Sequence, residues 1–395
     1  MDNIKLSSLV PAAAVNFFYY GFLGGVISYL AVFLSSRGFT STEVGTLIAS
    51  YTFIRIFSGQ LWAYLADLQQ NPKRYFQLAV IISFVALLPA VFIDIKWVTN
   101  ISMICAFVFF MAAVSQIEVL SLVATKSNPT IYNRVRLFGS IGFIVAAIAV
   151  GTIVDIYGPG VILYVGLGLI FLTYLTSLYL DNGDPLAHDE LGDSEGFFKR
   201  CCTVGFGSFL IASILLQMSF APYVGFFTQY LSQHEYPGTA TGILFALGTF
   251  AEIFMFLIAG HLLARYSLKL LMVVCLMLTA LRWLLMAYYI DFVIVVILTQ
   301  IIHAVSFGLM HSSSIHFVRR YFPKRMQNQG QFMYLGITFG IGGALGAWVT
   351  GMTWNEGLGG SDTFVWASMV VLVAGLVILM TPRKKFQFEP DKVQV

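Results

Sequence analysis

The chain has 395 residues, 58% of them hydrophobic and only 10% charged, with a formal net charge of +3 and a mean hydropathy of +0.83. Water-soluble domains carry about a quarter charged residues, so a soluble globule is excluded and an all-α, polytopic membrane protein remains. The 36 Phe and 19 Tyr suit lipid-facing surfaces and interfacial belts.

A helix needs about 20 apolar residues to cross the hydrocarbon core. Twelve such spans are predicted in chain order: 9–35, 42–66, 75–95, 98–123, 132–154, 160–180, 203–231, 239–263, 268–289, 292–317, 325–352 and 362–381. Each must be helical, because unpaired backbone polar groups cannot face lipid. The first apolar run, beginning near Leu9, is too long for a cleavable signal.

Basic residues set sidedness. Lys5, Lys73, Arg74, Lys126, Lys199, Arg200, Arg265, Lys269, Arg319, Arg320, Lys324, Arg325 and the tail residues Arg383, Lys384, Lys385 and Lys392 fall on one side; the other has only Arg37 and Lys96. Both termini are therefore expected in the cytoplasm, in a multi-pass protein of a bacterial inner membrane.

The longest polar stretch, about Asp181 to Arg200, divides the chain. The expected organisation is a six-helix bundle over 1–180, a cytoplasmic linker over 181–202, a second six-helix bundle over 203–382 and a cytoplasmic tail over 383–395. YLAVFLSSRGFTSTEVGTL from Tyr29 aligns with FFTQYLSQHEYPGTATGIL from Phe226 at constant offset, and that register sets Arg55 opposite Glu252. Parallel six-helix repeats of this kind build major facilitator transporters.

A charge at mid-membrane costs at least about 2.5–3.5 kcal/mol, so such residues mark a pathway or a pair. The candidates are Arg55, Glu118, Glu252, Arg282 and His303, with Arg134 and Arg136 at the start of the fifth span. Arg134 is read as structural, near lipid phosphates. For Arg55 a gate or packing role and a substrate role both stand, and His303 is either a polar core residue or a functional one. His311 and His316 follow His303 at spacings of eight and five, which do not put the three on one face of an α-helix as a metal site requires. The four cysteines show neither metal spacing nor a disulfide framework. Glycines in spans five and eleven permit close helix approach. The chain has no GxxxxGK[ST] loop, HExxH motif or Ser-His-Asp set, so ATP-driven transport and enzymatic activity are not expected.

At YNRVRLFGSIGF the fifth span resembles that of the phenylpropionic acid permease family, a branch of the major facilitator superfamily close to the lactose permease and other oligosaccharide–proton symporters. LLQMSFAPYVGFF, LGTFAEIFMFLIAGHLLARYS, ALRWLLMA and TQIIHAVSFGLMH extend the likeness across most of the chain. The resemblance implies that Glu118 and Arg136, eighteen residues apart, pair at the substrate site, with Arg136 toward the central cavity and Arg134 toward the cytoplasmic end. It also implies proton coupling through Glu252, Arg282 and His303. Ser306 stands where the lactose permease branch has a further carboxylate, which favours the phenylpropionate branch. The superfamily signature after span two is partial: GQLWAYLADLQQNPKR keeps Asp67, Lys73 and Arg74 at altered spacing.

The expected function is proton-coupled import of a small organic solute, an aromatic carboxylate such as a phenylpropionate. Glu118, Arg136, Tyr19, Tyr20 and Tyr223 bind the substrate; Glu252, Arg282 and His303 couple the proton; Arg55, Asp67 and Arg134 are gating or structural. An aromatic acid needs a cation for its carboxylate and ring faces for its apolar part. A sugar or nucleoside symporter, a drug or metabolite exporter, and a non-transporting receptor or scaffold are the alternatives. No cofactor or metal is expected, the proton gradient being the driving force. The expected partners are the solute, protons and membrane lipid, with no nucleic acid, for a monomeric protein.

Overall fold

A computed structural model describes residues 6–182 and 195–385. The described residues are helical almost throughout: α1 (Leu6–Gly25), α2 (Leu30–Ser36), α3 (Ser41–Leu68), α4 (Pro72–Phe92), α5 (Lys96–Ala112), α6 (Val114–Ala124), α7 (Pro129–Tyr157), α8 (Val161–Ser177), α9 (Glu195–Cys201), α10 (Val204–Gln233), α11 (Gly238–Arg265), α12 (Leu268–Tyr288), α13 (Val293–His303), α14 (Met310–Tyr321), α15 (Gln327–Phe332), α16 (Gly343–Thr353) and α17 (Gly360–Met380). Two π-helical segments, Ala304–Leu309 and Met333–Gly342, join α13 to α14 and α15 to α16. Among the described residues, ten helical stretches are long and apolar enough to cross a membrane. The expected second and sixth spans correspond to the less apolar α3, of 28 residues, and to α8, of 17. Most of Asp181–Arg200 and the tail beyond Lys385 lie outside the described residues, as does Lys5. All four cysteines are free thiols.

Local sequence explains where helices begin. Thr40 and Glu43 form a reciprocal capping box at α3. Asn71 and Asn128 cap α4 and α7, each followed by a proline whose missing N–H is no loss in the first turn. Large apolar side chains such as Phe57, Phe254, Leu257 and Met380 are exposed on the helices, which suits contact with lipid rather than water.

By their contacts the described residues form two compact units. The first holds residues 6–182 with Tyr223–Ala246 and Asn355–Gly357; the second holds 195–222, 247–354 and 358–385. The same contacts recur inside each. In the first unit α1 crosses α7 where a Cβ on Gly142 would strike the Phe17 carbonyl and one on Gly24 the Phe143 carbonyl. In the second, α10 crosses the Met333–Gly342 segment and α16 where a Cβ on Gly342 would meet the Ile214 carbonyl and one on Gly346 the Met218 carbonyl. Ile214 stands to Phe17 at the offset that relates Phe226 to Tyr29. Lys73 Nζ donates to the carbonyls of Leu178 and Leu180 at 3.0 and 2.7 Å, and Lys269 Nζ to those of Leu379 and Thr381 at 2.8 and 2.5 Å. Each lysine thus satisfies orphan carbonyls just past or at a helix C-terminus.

Two helix N-termini in the first unit are closed by acids distant in sequence. Asp155 accepts from the backbone N–H groups of Gly238 and Thr239 at 2.6 and 2.8 Å, and from the Thr239 hydroxyl at 2.7 Å. Glu356 accepts from the Ser41 N–H at 2.9 Å while its own N–H donates to Ser41 Oγ at 3.1 Å. Asn355, Glu356 and Gly357 hold left-handed φ values of 47°, 54° and 99°, a conformation unfavourable to the first two that the Ser41 contacts fix in place. Removing the Asp155 cap is expected to cost about 1 kcal/mol. Asp155→Ala should therefore lower the melting temperature in detergent by a few degrees. Asp94→Ala, which breaks the exposed 2.9 Å pair with Arg37, should change it by about 0.5 kcal/mol or less; equal losses would contradict the capping assignment.

Candidate functional site

In the first unit α1, α6 and α7 bring four polar side chains together. Arg136 Nε donates to Glu118 Oε1 at 3.1 Å, and the Tyr132 hydroxyl donates to the other Glu118 oxygen. The Arg136 guanidinium lies 4.1 Å from the centroid of the Tyr20 ring, a cation–π contact. Tyr132 and Arg136 share a face of α7 because they are four residues apart. Gly139 completes that face: a Cβ there would strike both the Tyr20 ring and Arg136 Nη1. The pair is partly accessible, with side-chain exposures of 35% for Arg136 and 34% for Glu118. Arg134 is exposed, as expected for a residue about 200° around the helix from Arg136.

The other expected substrate and gating residues occupy different settings. Tyr19 is fully buried; its hydroxyl donates to the Phe110 carbonyl at 2.9 Å and its ring stacks on Phe110 at 4.5 Å. It meets Tyr20 edge-on at 5.2 Å and so supports that ring from beneath. Tyr223 is buried against Phe227 and Phe245. Arg55 is half-buried in α3, and Asp67 is exposed near the end of that helix.

The second unit holds the other three. His303 Nδ1 lies 2.9 Å from Arg282 Nη1, and His303 Nε2 lies 2.5 Å from Glu252 Oε1. A guanidinium can only donate, so Nδ1 must be the acceptor; Nε2 then carries the proton and donates to the carboxylate. The imidazole is neutral in this arrangement and stands between the cation and the anion. Arg282 is fully buried, Glu252 has a side-chain exposure of 18%, and the Phe220 ring meets His303 at 5.9 Å. Gly308 faces the Met255 side chain at close range, which allows the chain carrying His303 to approach α11 one turn from Glu252.

Phe307 lies between two of the three histidines, stacking on His303 at 5.7 Å and on His311 at 6.1 Å. Phe307 falls inside the π-helical segment Ala304–Leu309, and it is four residues from each histidine, the spacing at which side chains on one helix meet. No group of metal ligands occurs among the described residues.

Residues 9–366 match the model of the MFS_1 like family. The chain belongs to that family of major facilitator transporters. An Escherichia coli (strain K12) protein described as a probable 3-phenylpropionic acid transporter is 26% identical over 316 residues, covering 77% of this chain and 81% of its own. The maltose permease of Geobacillus stearothermophilus is 29% identical over 273 residues, covering 64% of each chain. Among solved structures, the nucleoside transporter NupG superposes with a TM-score of 0.82 at 19% identity, over 96% of this chain and 99% of that one. As a member of this family the chain is an integral membrane protein and a secondary transporter of small molecules, not an enzyme.

Residue pattern alone left Tyr132 and Gly308 unmarked at the site, and gave Gly139 only as one of the close-approach glycines of span five. Tyr132 was within reach, since it precedes Arg136 by one helical turn in YNRVRLFGS. The two glycines are chosen by neighbours distant in sequence. For this MFS_1 like protein the Glu118–Arg136 pair gives a direct test. Glu118→Gln leaves Arg136 without its counter-charge and should destabilise by about 1–2 kcal/mol, less than a fully buried pair because both groups are partly solvated. Glu118→Gln with Arg136→Gln should recover most of that loss, and Arg134→Gln should change little. A loss from Arg134→Gln equal to that from Glu118→Gln, read by thermal unfolding in detergent, would overturn the assigned faces.

Proposed function

We propose that this transporter imports an aromatic carboxylate together with a proton. Twelve spans in two six-helix bundles, residues 1–180 and 203–382, carry the transport, with both termini in the cytoplasm of a bacterial cell and the chain working as a monomer. The recurrent glycine crossings and lysine caps support the repeat, and the Lys and Arg distribution supports the orientation. The solute's ring is taken by the aromatic surface around Tyr20, and its polar end by arginine.

The observation that carries the coupling is the His303 imidazole held between Arg282 and Glu252. A proton cannot be added to this chain of groups without consequence. Protonating His303 turns Nδ1 into a donor facing a donor, and Arg282 must leave. Protonating Glu252 removes the charge that balances Arg282 across the ring. Either event changes what the arginine bonds to, so proton occupancy and conformation are linked. Ser306, fully buried one turn beyond His303, offers no second carboxylate, which makes Glu252 the carrier. The relative described as a probable 3-phenylpropionic acid transporter supports the choice of solute.

The maltose permease relative favours a second reading, a sugar symporter in which Glu118 and Arg136 bond hydroxyls. The two are separated by reconstituting the protein in liposomes with an alkaline interior and following 3-phenylpropionate, maltose and uridine. Protein-free liposomes correct for diffusion of the neutral acid. The aromatic acid should accumulate beyond that control, with an uncoupler abolishing the gain, while maltose and uridine stay at background. Gradient-driven uptake of maltose or uridine in its place would refute the proposal.

A further inference from the structure

Every described acid in the first unit has a setting. Glu118 is taken by Arg136 and Tyr132, Asp94 by Arg37 and Glu43 by Lys96, while Asp155 and Glu356 cap helix N-termini. Asp67, Asp181 and Glu235 are exposed at helix ends. Arg55 is different. It is a half-buried cation for which the described residues supply no ion pair or hydrogen bond.

Its depth excludes the commonplace explanation. Arg55 follows Ser41 by 14 residues and precedes Leu68 by 13 within α3, which puts it about 20 Å from either end at 1.5 Å per residue. The hydrocarbon core is about 30 Å thick, so the side chain sits near mid-depth and cannot reach lipid phosphates at the helix ends. Tyr51, one helical turn before Arg55, meets the Phe107 ring at 5.3 Å; Phe110, three residues on from Phe107 in α5, stacks on Tyr19 at 4.5 Å, and Tyr19 meets Tyr20, the ring under Arg136. Among the described residues the cluster therefore contains two arginines against one carboxylate, and one positive charge is left over among aromatic rings. A neutral sugar has no use for that charge, whereas a carboxylate on a ring-bearing solute would neutralise it.

We infer that Arg55 is the anchor for the carboxylate of the transported solute, rather than a gating or structural residue. Arg136, already engaged by Glu118 and stacked on Tyr20, shapes the aromatic part of the site. The inference rests on the aromatic-carboxylate reading and names the group that enforces it. The planar guanidinium offers two parallel N–H donors to the carboxylate oxygens, a geometry an ammonium cannot reproduce.

The test is binding to the purified full-length protein in detergent. The probes are 3-phenylpropionate, its neutral counterpart 3-phenylpropan-1-ol, and hexanoate as an anion without a ring. Arg55→Gln should weaken both anions about 10- to 150-fold, the range for a lost charge-assisted hydrogen bond. It should leave the alcohol within about twofold and should not lower the solute-free melting temperature, since the charge removed is an unbalanced one. Arg55→Lys should fall between, and is read in its place if Arg55→Gln does not fold. If Arg55→Gln weakens acid and alcohol alike, or neither, the anchor is overturned while the aromatic-acid reading stands. If wild type binds hexanoate but not 3-phenylpropionate, and Arg55→Gln loses hexanoate, the anchor holds and the aromatic part of the proposed function fails. If wild type binds neither anion, both fall.

Discussion

A charge inside a hydrocarbon layer must be balanced, and that single constraint arranges most of what is polar in this protein. The price of an unpartnered ion there is several kcal/mol, and the observed groups follow from it. Glu118 and Arg136 meet across α6 and α7. Glu252 and Arg282 are joined through His303. At the helix ends, where the same rule applies to unpaired backbone groups, acids close two N-termini and lysines close two C-termini. Arg55 departs from the rule, and the proposed anionic solute would supply the missing charge.

Those two clusters differ in what they can do. Glu118 is held by a guanidinium and a phenol at once, and neither donor needs to move for it to stay charged. Glu252 is held by one imidazole whose other nitrogen is committed to an arginine, so any change of protonation propagates along the three groups. The first arrangement is suited to presenting a fixed surface to a solute. The second is suited to gaining and losing a proton while changing partners. In this account substrate recognition and proton coupling are divided between the two clusters.

Much of this was legible in the residues themselves. Hydropathy located the helices to within a few residues, because lipid removes every alternative to a hydrogen-bonded helix. The register that aligns Tyr29 with Phe226 reappears in the glycine crossings at Phe17 and Ile214. The structure brings Glu118 together with Arg136, and Glu252 together with His303 and Arg282, the same groupings that the resemblance implied. Other features depend on geometry that pattern does not encode. A π-helical turn leaves no clear trace in composition, yet one follows His303 directly and carries Phe307, the ring between His303 and His311. Tyr19 and Tyr20 are adjacent and identical, yet Tyr19 is fully buried beneath Phe110 and Tyr20 carries the arginine. Asp155 reads as an ordinary interfacial acid until the N-terminus of α11 is placed beside it.

The proposed coupling turns on Glu252 as the proton carrier, and the variant Glu252→Gln isolates that role. The amide keeps the shape of the protonated acid and can still accept from His303 Nε2. In proteoliposomes, two quantities should be measured side by side: accumulation of 3-phenylpropionate against its gradient, and exchange of internal for external solute at equal pH. Loss of accumulation with exchange preserved is the predicted result. Undiminished gradient-driven accumulation would remove Glu252 from the role. Parallel loss of both activities, restored by Glu252→Gln with Arg282→Gln, would make Glu252, His303 and Arg282 a structural brace rather than a proton site.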